Sequence, residues 1–209
     1  MGRNLNQGLA RVFTPVMRRK ISITICSLIL IIVSCLPVGA AQKPKEISSD
    51  QPECKVSLLT NQNYFPALLK IIDEAQNEIF VSIFSFKAGV HKNSYPDRIV
   101  GHLAKAVKRG VKVVVILETT DKRSDELNVQ NRQTGKLLEE KGIEVYFDSP
   151  RKTTHTKLVV VDERFVILGS HNLTQSALKY NNEISILMES PDLAKRCHNY
   201  MLTIIKEAK

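Results

Sequence analysis

The chain has 209 residues and a net charge of +9, with 30 lysine and arginine residues against 21 acidic ones. Five of the basic residues lie within the first 20 positions, so the rest of the chain is only mildly basic and of a length that suits one domain. Such a charge permits either nucleic acid or an anionic lipid surface as a partner, and charge alone does not distinguish between them.

The first 40 residues have the features of an export signal. Five basic residues and no acidic one precede the apolar segment ISITICSLILIIVSC, and the small residues VGA that follow suit cleavage before Ala41. We therefore predict a signal peptide over residues 1–40 and an exported protein, periplasmic or secreted. An uncleaved membrane anchor is one alternative, because counting on to Ala41 just reaches the ~20 residues that cross a bilayer. Lipidation at Cys35 is another, since a lipoprotein-like sequence precedes it.

Beyond the leader, residues 41–53 lack apolar periodicity and are predicted to form a flexible linker. From residue 54 onward, short apolar runs alternate with segments whose apolar residues recur at helical spacing. The predicted strands are Lys55–Leu59, Ile79–Phe84, Val111–Leu117, Ile143–Phe147, His155–Val161, Phe165–Leu168 and Glu183–Met188. The predicted helices are Tyr64–Gln76, Arg98–Arg109, Asn131–Lys141 and Pro191–Lys206. This alternation predicts an α/β domain over residues 54–209, an α/β/α sandwich around a mixed sheet.

The candidate chemistry lies in the segment HTKLVVVDERFVILGSHN, which begins at His155. Side chains alternate along a strand, so His155 and Lys157 emerge on one face about 7 Å apart. A polar turn at Asp162 predicts a hairpin that returns Ser170 and Asn172 towards the start of the strand. Histidine can attack phosphorus or move a proton near neutral pH, lysine adds a fixed positive charge, and Ser and Asn can hydrogen-bond phosphoryl oxygens. The cluster therefore suits a phosphodiester and needs no metal or other cofactor.

These residues match, without a gap, the HxKxxxxDxxxxxxGSxN signature of the phospholipase D superfamily. The resemblance extends over about residues 54–207, and the size and single motif are most similar to the small bacterial endonucleases of the superfamily. It implies the superfamily's α/β/α fold, a covalent phosphohistidine at His155 and a second histidine that protonates the leaving oxygen. It also implies that Glu183, in YNNEISILME, hydrogen-bonds and orients His155.

Several of these assignments have alternatives. Asp162 can fix the hairpin turn instead of contacting substrate, and Glu183 can be an ordinary carboxylate at a strand edge. A metal site built from His155, Asp162 and His171 is conceivable, but Lys157 would repel a cation there. Otherwise His171 is expected to support the site or to pack beneath it.

Two polar loops, Lys87–Pro96 and Asp121–Arg132, are predicted as surface connections that can also contact substrate. Beside the first loop, Phe84 and Phe86 either pack in the core or narrow the entrance to the site. The basic pair Arg151–Lys152 lies next to the motif strand and is well placed to meet a polyanion.

The signature occurs once, because none of the other four histidines has a lysine two residues later. A symmetric homodimer with two His155 side chains across a two-fold axis would supply nucleophile and acid from identical motifs. We therefore predict an obligate homodimer that hydrolyses nucleic acid. The alternatives are a phospholipase D acting on phosphatidylcholine-like membrane lipids, and a protein that only binds nucleic acid or anionic lipid.

Cleavage of the leader would leave Cys54 and Cys197 as the only cysteines. An exported protein can join two such residues in one disulfide, here between the start of the first strand and the last helix. Two unpaired thiols are the alternative.

Overall fold

The computed structural model describes residues 54–122 and 124–208. The signal peptide or anchor predicted over residues 1–40 and the linker predicted over 41–53 lie outside these ranges. Within the two described ranges, no helix is both long and apolar enough to cross a membrane.

The described chain forms seven strands in a single sheet, with helices between them. The strands are β1 Lys55–Thr60, β2 Glu78–Ile83, β3 Lys112–Leu117, β4 Glu144–Phe147, β5 Lys157–Val161, β6 Phe165–Gly169 and β7 Ile184–Glu189. The helices are α1 Tyr64–Glu74, α2 Tyr95–Lys108, α3 Glu126–Glu139, α4 Gln175–Lys179 and α5 Pro191–Glu207, with a 3-10 turn at Asn61–Asn63. The order across the sheet is β1-β7-β6-β5-β2-β3-β4. Strands β2, β3 and β4 run parallel and the other neighbours antiparallel, which confirms the predicted mixed sheet.

Helices cover both faces of the sheet, as β3 shows. Val113, Val115 and Leu117 enter one core together with residues of α1 and α2. Val114 and Ile116 enter a second core, which is closed by residues of α5. Successive strand side chains point to opposite faces, so a continuous apolar run is what a strand covered on both sides requires. The predicted α/β/α layering is confirmed.

The third helix differs from the prediction over Asn131–Lys141. It begins at Glu126, because the Asp125 carboxylate caps it by accepting a hydrogen bond from Leu127 N at 2.9 Å. Its buried face is mostly polar, which concealed it from an argument based on apolar spacing. Much of the loop predicted over Asp121–Arg132 is therefore helix. Helix α4 was missed as well, since five residues are too few for periodicity to show.

Candidate active site

The candidate active site forms where three neighbouring strands end at one edge of the sheet. Strand β5 begins at Lys157, β6 ends at Gly169 and β7 begins at Ile184. Because β5 pairs antiparallel with β6, and β6 with β7, these three termini lie side by side. The predicted return of the hairpin towards the start of β5 is confirmed.

His155 and Lys157 share one aromatic support, the half-buried ring of Phe84. The exposed His155 ring packs against Phe84 at 4.5 Å between ring centroids and 67° between planes. Lys157 Nζ lies 4.8 Å from the centroid of the same ring and donates to the His155 carbonyl oxygen at 3.2 Å. Phe84 N also donates to Thr156 O at 2.9 Å, which ties the end of β2 to the approach to β5. Phe84 therefore lines the site, whereas Phe86 is fully buried in the core.

Two opposing causes act on the pKa of Lys157. Partial burial lowers the pKa of Lys157, and the negative charge of Glu183 acts in the opposite direction with a smaller effect. Lys157 consequently loses its proton at a lower pH than an exposed lysine, although it lies within electrostatic reach of a carboxylate. A lysine in this position places positive charge beside the exposed imidazole of His155.

Glu183 is held by Ser170, Asn181 and Asn61. Ser170 Oγ donates to Glu183 Oε2, and Asn181 Nδ2 donates to Glu183 Oε1 at 3.0 Å. The backbone N–H of Glu183 donates to Asn61 Oδ1 at 2.9 Å. Between the described side chains of Glu183 and His155 there is no hydrogen bond, so the predicted orienting role of Glu183 stays a prediction. Sequence reasoning missed Asn61, which lies 122 residues from Glu183 in the chain and carries no motif signal.

His171 lies beneath the site and is fully buried. Its ring stacks on Tyr64 at 4.2 Å between centroids, and Nε2 donates to the Asn61 carbonyl oxygen at 2.9 Å. Burial lowers the pKa of His171, which favours the neutral ring, so Nδ1 accepts from Ser185 Oγ at 2.8 Å. The prediction that His171 supports the site or packs beneath it is confirmed.

Gly169 allows β6 and β7 to approach closely at this edge. A Cβ atom at Gly169 would lie 2.2 Å from Ser185 Oγ and 2.5 Å from Ile184 O, so no larger residue fits without moving the backbone. The next residue, Ser170, then donates its backbone N–H to Ile184 O at 2.9 Å. The glycine of the motif thus determines where the Ser170 hydroxyl meets Glu183.

Asn172 has an unused acceptor. Its side chain is half-buried, and Oδ1 is fully buried without a hydrogen-bond partner among the described residues. A buried acceptor left unpaired costs about 1–3 kcal/mol. Such a cost is most easily explained where another molecule supplies the missing donor.

Asp162 lies at the opposite end of β5 from His155, in the turn that joins β5 to β6. Its carboxylate accepts three backbone N–H groups, from Gln76 at 2.9 Å, Asn77 at 2.8 Å and Glu78 at 2.9 Å. Assigning Asp162 to the catalytic set is therefore corrected, because its oxygens anchor the loop between α1 and β2. The alternative metal site fails for the same reason, since Asp162 lies at the far end of the strand from His155.

One cluster in the described residues has metal-ligating atoms within 4.8 Å of one another: Glu78, Glu163 and His198. It lies at the Asp162 end of the hairpin. His198 Nδ1 hydrogen-bonds Glu163 Oε1 at 2.8 Å and lies 3.5 Å from Glu78 Oε1, which has no hydrogen-bond partner among the described residues. The cluster is therefore separate from the site at His155.

The two cysteines beyond the predicted leader are free in the structure. Cys54 is exposed, and Cys197 is half-buried against the α5 core. Burial raises the pKa of the Cys197 thiol. The disulfide between Cys54 and Cys197 considered from the sequence is not formed, and the alternative of two unpaired thiols describes the structure.

Comparison with known proteins identifies the family. The family model described as "Cardiolipin synthase, PLD-like domain" matches residues 68–205. The chain is 30% identical over 159 residues to the mitochondrial cardiolipin hydrolase of Canis lupus familiaris, covering 74% of this chain and 56% of that protein. It is 28% identical over 124 residues to a phospholipase D of Rickettsia conorii, covering 59% of this chain and 55% of that protein. The chain thus spans about half the length of these curated relatives.

A solved structure of similar fold is Nuc from Salmonella typhimurium, described as a phospholipase D family member. It superposes with a TM-score of 0.63 at 23% identity and covers 75% of this chain and 97% of that one. This likeness shows the shared fold. The family model spans more than half of the chain and includes the whole segment from His155 to Asn172. On these grounds the chain belongs to the phospholipase D superfamily.

Proposed function

We propose that this protein is a phosphodiesterase that works through a phosphohistidine at His155. The observation that carries the proposal is the pair of His155 and Lys157 on the Phe84 ring, at an exposed strand edge shared with Ser170 and Glu183. A nucleophile with a fixed positive charge and hydrogen-bond donors beside it is the arrangement that phosphoryl transfer needs.

The reaction has two steps. A nitrogen of the neutral His155 ring attacks phosphorus, the bond from phosphorus to the leaving oxygen breaks, and an imidazolium gives that oxygen its proton. The resulting neutral imidazole then takes a proton from water, whose oxygen attacks phosphorus and releases His155. Lys157 and Asn172 hold the phosphoryl oxygens in both steps, and Ser170 joins them when its hydroxyl turns from Glu183 to the substrate. No metal or other cofactor enters this scheme.

The proton donor is proposed to be His155 of a second copy in a homodimer. Among the described residues, no other histidine side chain hydrogen-bonds the ring of His155. The other histidine of the motif, His171, is buried and engaged by Asn61 and Ser185. A two-fold axis beside His155 would bring two such rings together from one motif.

An apolar patch next to the site supports this dimer. Leu58, Leu168 and Ile184 are 61%, 42% and 56% exposed. They share one face of the sheet, because Leu58 and Leu168 both lie in register with Ile186, and Ile184 is two residues from Ile186 on β7. Ile184 N also donates to Ser170 Oγ at 3.0 Å, so the patch reaches the site. Contiguous exposed apolar surface of this kind is typical of an interface.

Sedimentation of Leu168→Glu tests the dimer. We expect this variant to be monomeric and to lose activity at the same protein concentrations at which the parent is dimeric and active. Val129→Glu is the matched control, since Val129 is 50% exposed but lies on α3, away from the patch. A parent protein that is monomeric and fully active would overturn the proposal.

The proposed substrate is nucleic acid. Tyr180 is largely exposed, follows Lys179 and lies one residue before Asn181, which hydrogen-bonds Glu183. Lys179 Nζ is 5.2 Å from the Tyr180 ring centroid, so an aromatic face and a positive charge occur together near the site. Tyr180 and Lys87 also line a cavity of about 280 Å³. Aromatic faces beside positive charges favour stacked bases and a phosphate backbone.

A phospholipid is the second candidate substrate. It is favoured by the curated relatives, one named a phospholipase D and the other a cardiolipin hydrolase. The same attack on phosphorus serves either kind of diester. We further propose, from the predicted leader, that the protein acts outside the cytoplasm, as an exported or membrane-anchored protein.

Parallel assays distinguish these substrates. Plasmid DNA, RNA, phosphatidylcholine vesicles and cardiolipin vesicles should be offered to the same preparation with a chelator present. We expect cleavage of nucleic acid that survives the chelator. Cleavage of vesicles alone would favour the phospholipase, and binding without cleavage of any substrate would leave only a binding protein. Loss of cleavage in the chelator would overturn the metal-free reaction.

A further inference from the structure

Two buried acids lie beneath the segment that leads to His155. Glu118 directly follows β3 and is 2% exposed; Asp148 directly follows β4 and is 3% exposed. Strands β3 and β4 are parallel neighbours with Leu117 in register with Phe147, so their carboxyl ends bring the two acids together. Neither residue belongs to the motif from His155 to Asn172.

Both carboxyl groups converge on one backbone N–H, that of Thr154. Glu118 Oε2 lies 2.5 Å from Thr154 N, and Asp148 Oδ2 lies 3.1 Å from it. Thr154 is buried, whereas His155, the next residue, is exposed. These two hydrogen bonds from Thr154 N therefore determine where the chain turns outward and presents the imidazole of His155 to the surface.

The other contacts identify which acid carries a proton. Asp148 Oδ1 accepts Thr119 N at 2.7 Å, so both oxygens of Asp148 accept backbone N–H groups, as an ionised carboxylate does. Burial, first, and the hydrogen bond with Asp148 raise the pKa of Glu118 to about 8, and the charge of Asp148 is a smaller cause in the same direction. The hydrogen bond from Thr154 N acts in the opposite direction, because an N–H group favours the ionised acid, but it does not outweigh the other causes. At neutral pH Glu118 is therefore the neutral acid of the pair.

Among the residues that the structure describes, no basic side chain forms an ion pair with Glu118. From α3, Asn131 Nδ2 donates to the Glu118 carbonyl oxygen at 2.9 Å, and Arg132 Nη2 donates to Thr119 Oγ1 at 3.0 Å. Arg132 is thus the cation nearest to the pair in these contacts, but it binds a neighbouring hydroxyl and neither carboxyl. From β2, the contact is a backbone one, the donation of Glu118 N to Ile83 O at 3.4 Å. Among the described residues, these contacts thus include no basic side chain that neutralises either carboxyl group.

We propose that Glu118 is a positioning residue for His155: in its neutral form it joins Asp148 in holding Thr154, and its ionisation releases the segment before His155. The proposal rests on the function proposed above, since a positioned His155 is useful only if His155 reacts. When Glu118 loses its proton, two buried negative charges face one N–H group and repel each other. An ionised Glu118 would bind Thr154 N more strongly, but its pKa is raised on balance, so burial and repulsion outweigh that gain. The segment from residue 149 to residue 155 then relaxes, and His155 leaves its position on Phe84.

Ionisation of Glu118 should make the protein less stable at alkaline pH. An acid whose pKa is higher in the folded protein binds its proton more tightly there, so its contribution to stability is present in full below the ordinary pKa of 4.5. It is lost progressively as the pH rises to about 8. Activity should accordingly decline on the alkaline side, through kcat more than KM, because the nucleophile is displaced and the substrate contacts remain.

Glu118→Gln is the decisive variant, because glutamine imitates the neutral acid and cannot ionise. We expect it to retain kcat within about threefold at pH 7, and the decline of kcat near pH 8 to move upward by about one pH unit or more. The remaining decline would then follow Lys157, whose own pKa is lowered by burial. Glu163→Gln, a carboxyl at the far end of β5, should leave the pH profile unchanged. An alkaline limb in Glu118→Gln identical to that of the parent would overturn the proposal.

Hydrogen exchange at the Thr154 amide tests the positioning role without any assay of activity. After correction for the intrinsic rate, protection of this amide should fall at least tenfold between pH 7 and pH 9 in the parent and stay constant in Glu118→Gln. Constant protection in both proteins would refute the role of Glu118 even if the enzyme is active. If protection falls in the parent alone but the protein cleaves no phosphodiester, the role of Glu118 in holding Thr154 is supported and the proposed function is rejected.

Discussion

The two ends of the β5–β6 hairpin contain residues of the same motif and differ in how their polar groups are satisfied. At one end, His155 is exposed and Asn172 Oδ1 has no partner among the described residues. At the other end, the Asp162 carboxylate accepts three backbone N–H groups and has little capacity left for a ligand. A motif of eighteen residues thus combines groups kept free for chemistry with a group used to build the scaffold.

Replacing His155 tests the reactive end and should have the largest effect. We expect His155→Ala to lower kcat by at least about 1,000-fold, because both the nucleophile and the acid in a dimer are lost. Its melting temperature should fall by no more than about 5 °C, since the exposed ring loses only its contact with Phe84. Initial rates with the preferred diester measure the first effect and calorimetry the second.

The matched control for that substitution is His198→Ala, at the far end of the hairpin. Its ring pairs with Glu163 and Glu78. We expect it to retain the activity of the parent. Equal losses in the two variants would contradict the distinction between the two ends.

Asp162→Ala should have the opposite pattern, a loss of stability with the activity of the folded protein preserved. Three backbone N–H groups lose a charged acceptor, and water can replace it only in part, so we expect a loss of about 2–3 kcal/mol. Urea unfolding measures this loss. Asp162→Asn should lose less, because one carbonyl oxygen remains. A stable Asp162→Ala protein without activity would return Asp162 to the catalytic set.

Asn172→Ala should lower kcat/KM about tenfold without lowering stability, because it removes a donor to the phosphoryl group together with a buried acceptor that has no partner. Asn131→Ala is the matched control. The side chain of Asn131 is buried and hydrogen-bonds Phe84 O, Phe86 N and Glu118 O. Its removal should destabilise the protein by about 2 kcal/mol. A large loss of stability in Asn172→Ala would show that Asn172 is structural.

Phe84→Leu should have the smallest effect. The ring supports both His155 and Lys157, and aromatic contacts of this kind contribute about 0.5–1.5 kcal/mol. We expect kcat to fall about threefold to tenfold with KM little changed. The matched variant Phe86→Leu alters a fully buried ring and should reduce stability instead.

Much of the fold was predictable because its signals are local. Strands covered on both sides appear in the sequence as continuous apolar runs, as Val113 to Leu117 shows. Helix α3 was placed five residues late because its buried face includes Asn128, Asn131 and Thr134. These side chains satisfy hydrogen bonds from distant parts of the chain, so no local apolar pattern marks them.

The sequence by itself determined the family and the residues of the candidate chemistry, because a short hairpin returns Ser170 to the end where Lys157 begins β5. The predicted strand began two residues too early, since His155 lies in the segment before β5, where Thr154 and Phe84 position it. Only the tertiary structure decided the role of Asp162, whose amide partners lie 84 to 86 residues away in the chain. It also decided the pairing of Glu118 with Asp148 beneath Thr154. The physical reason is that local periodicity specifies which face a side chain occupies, whereas partners for buried polar groups depend on which strands become neighbours in the sheet.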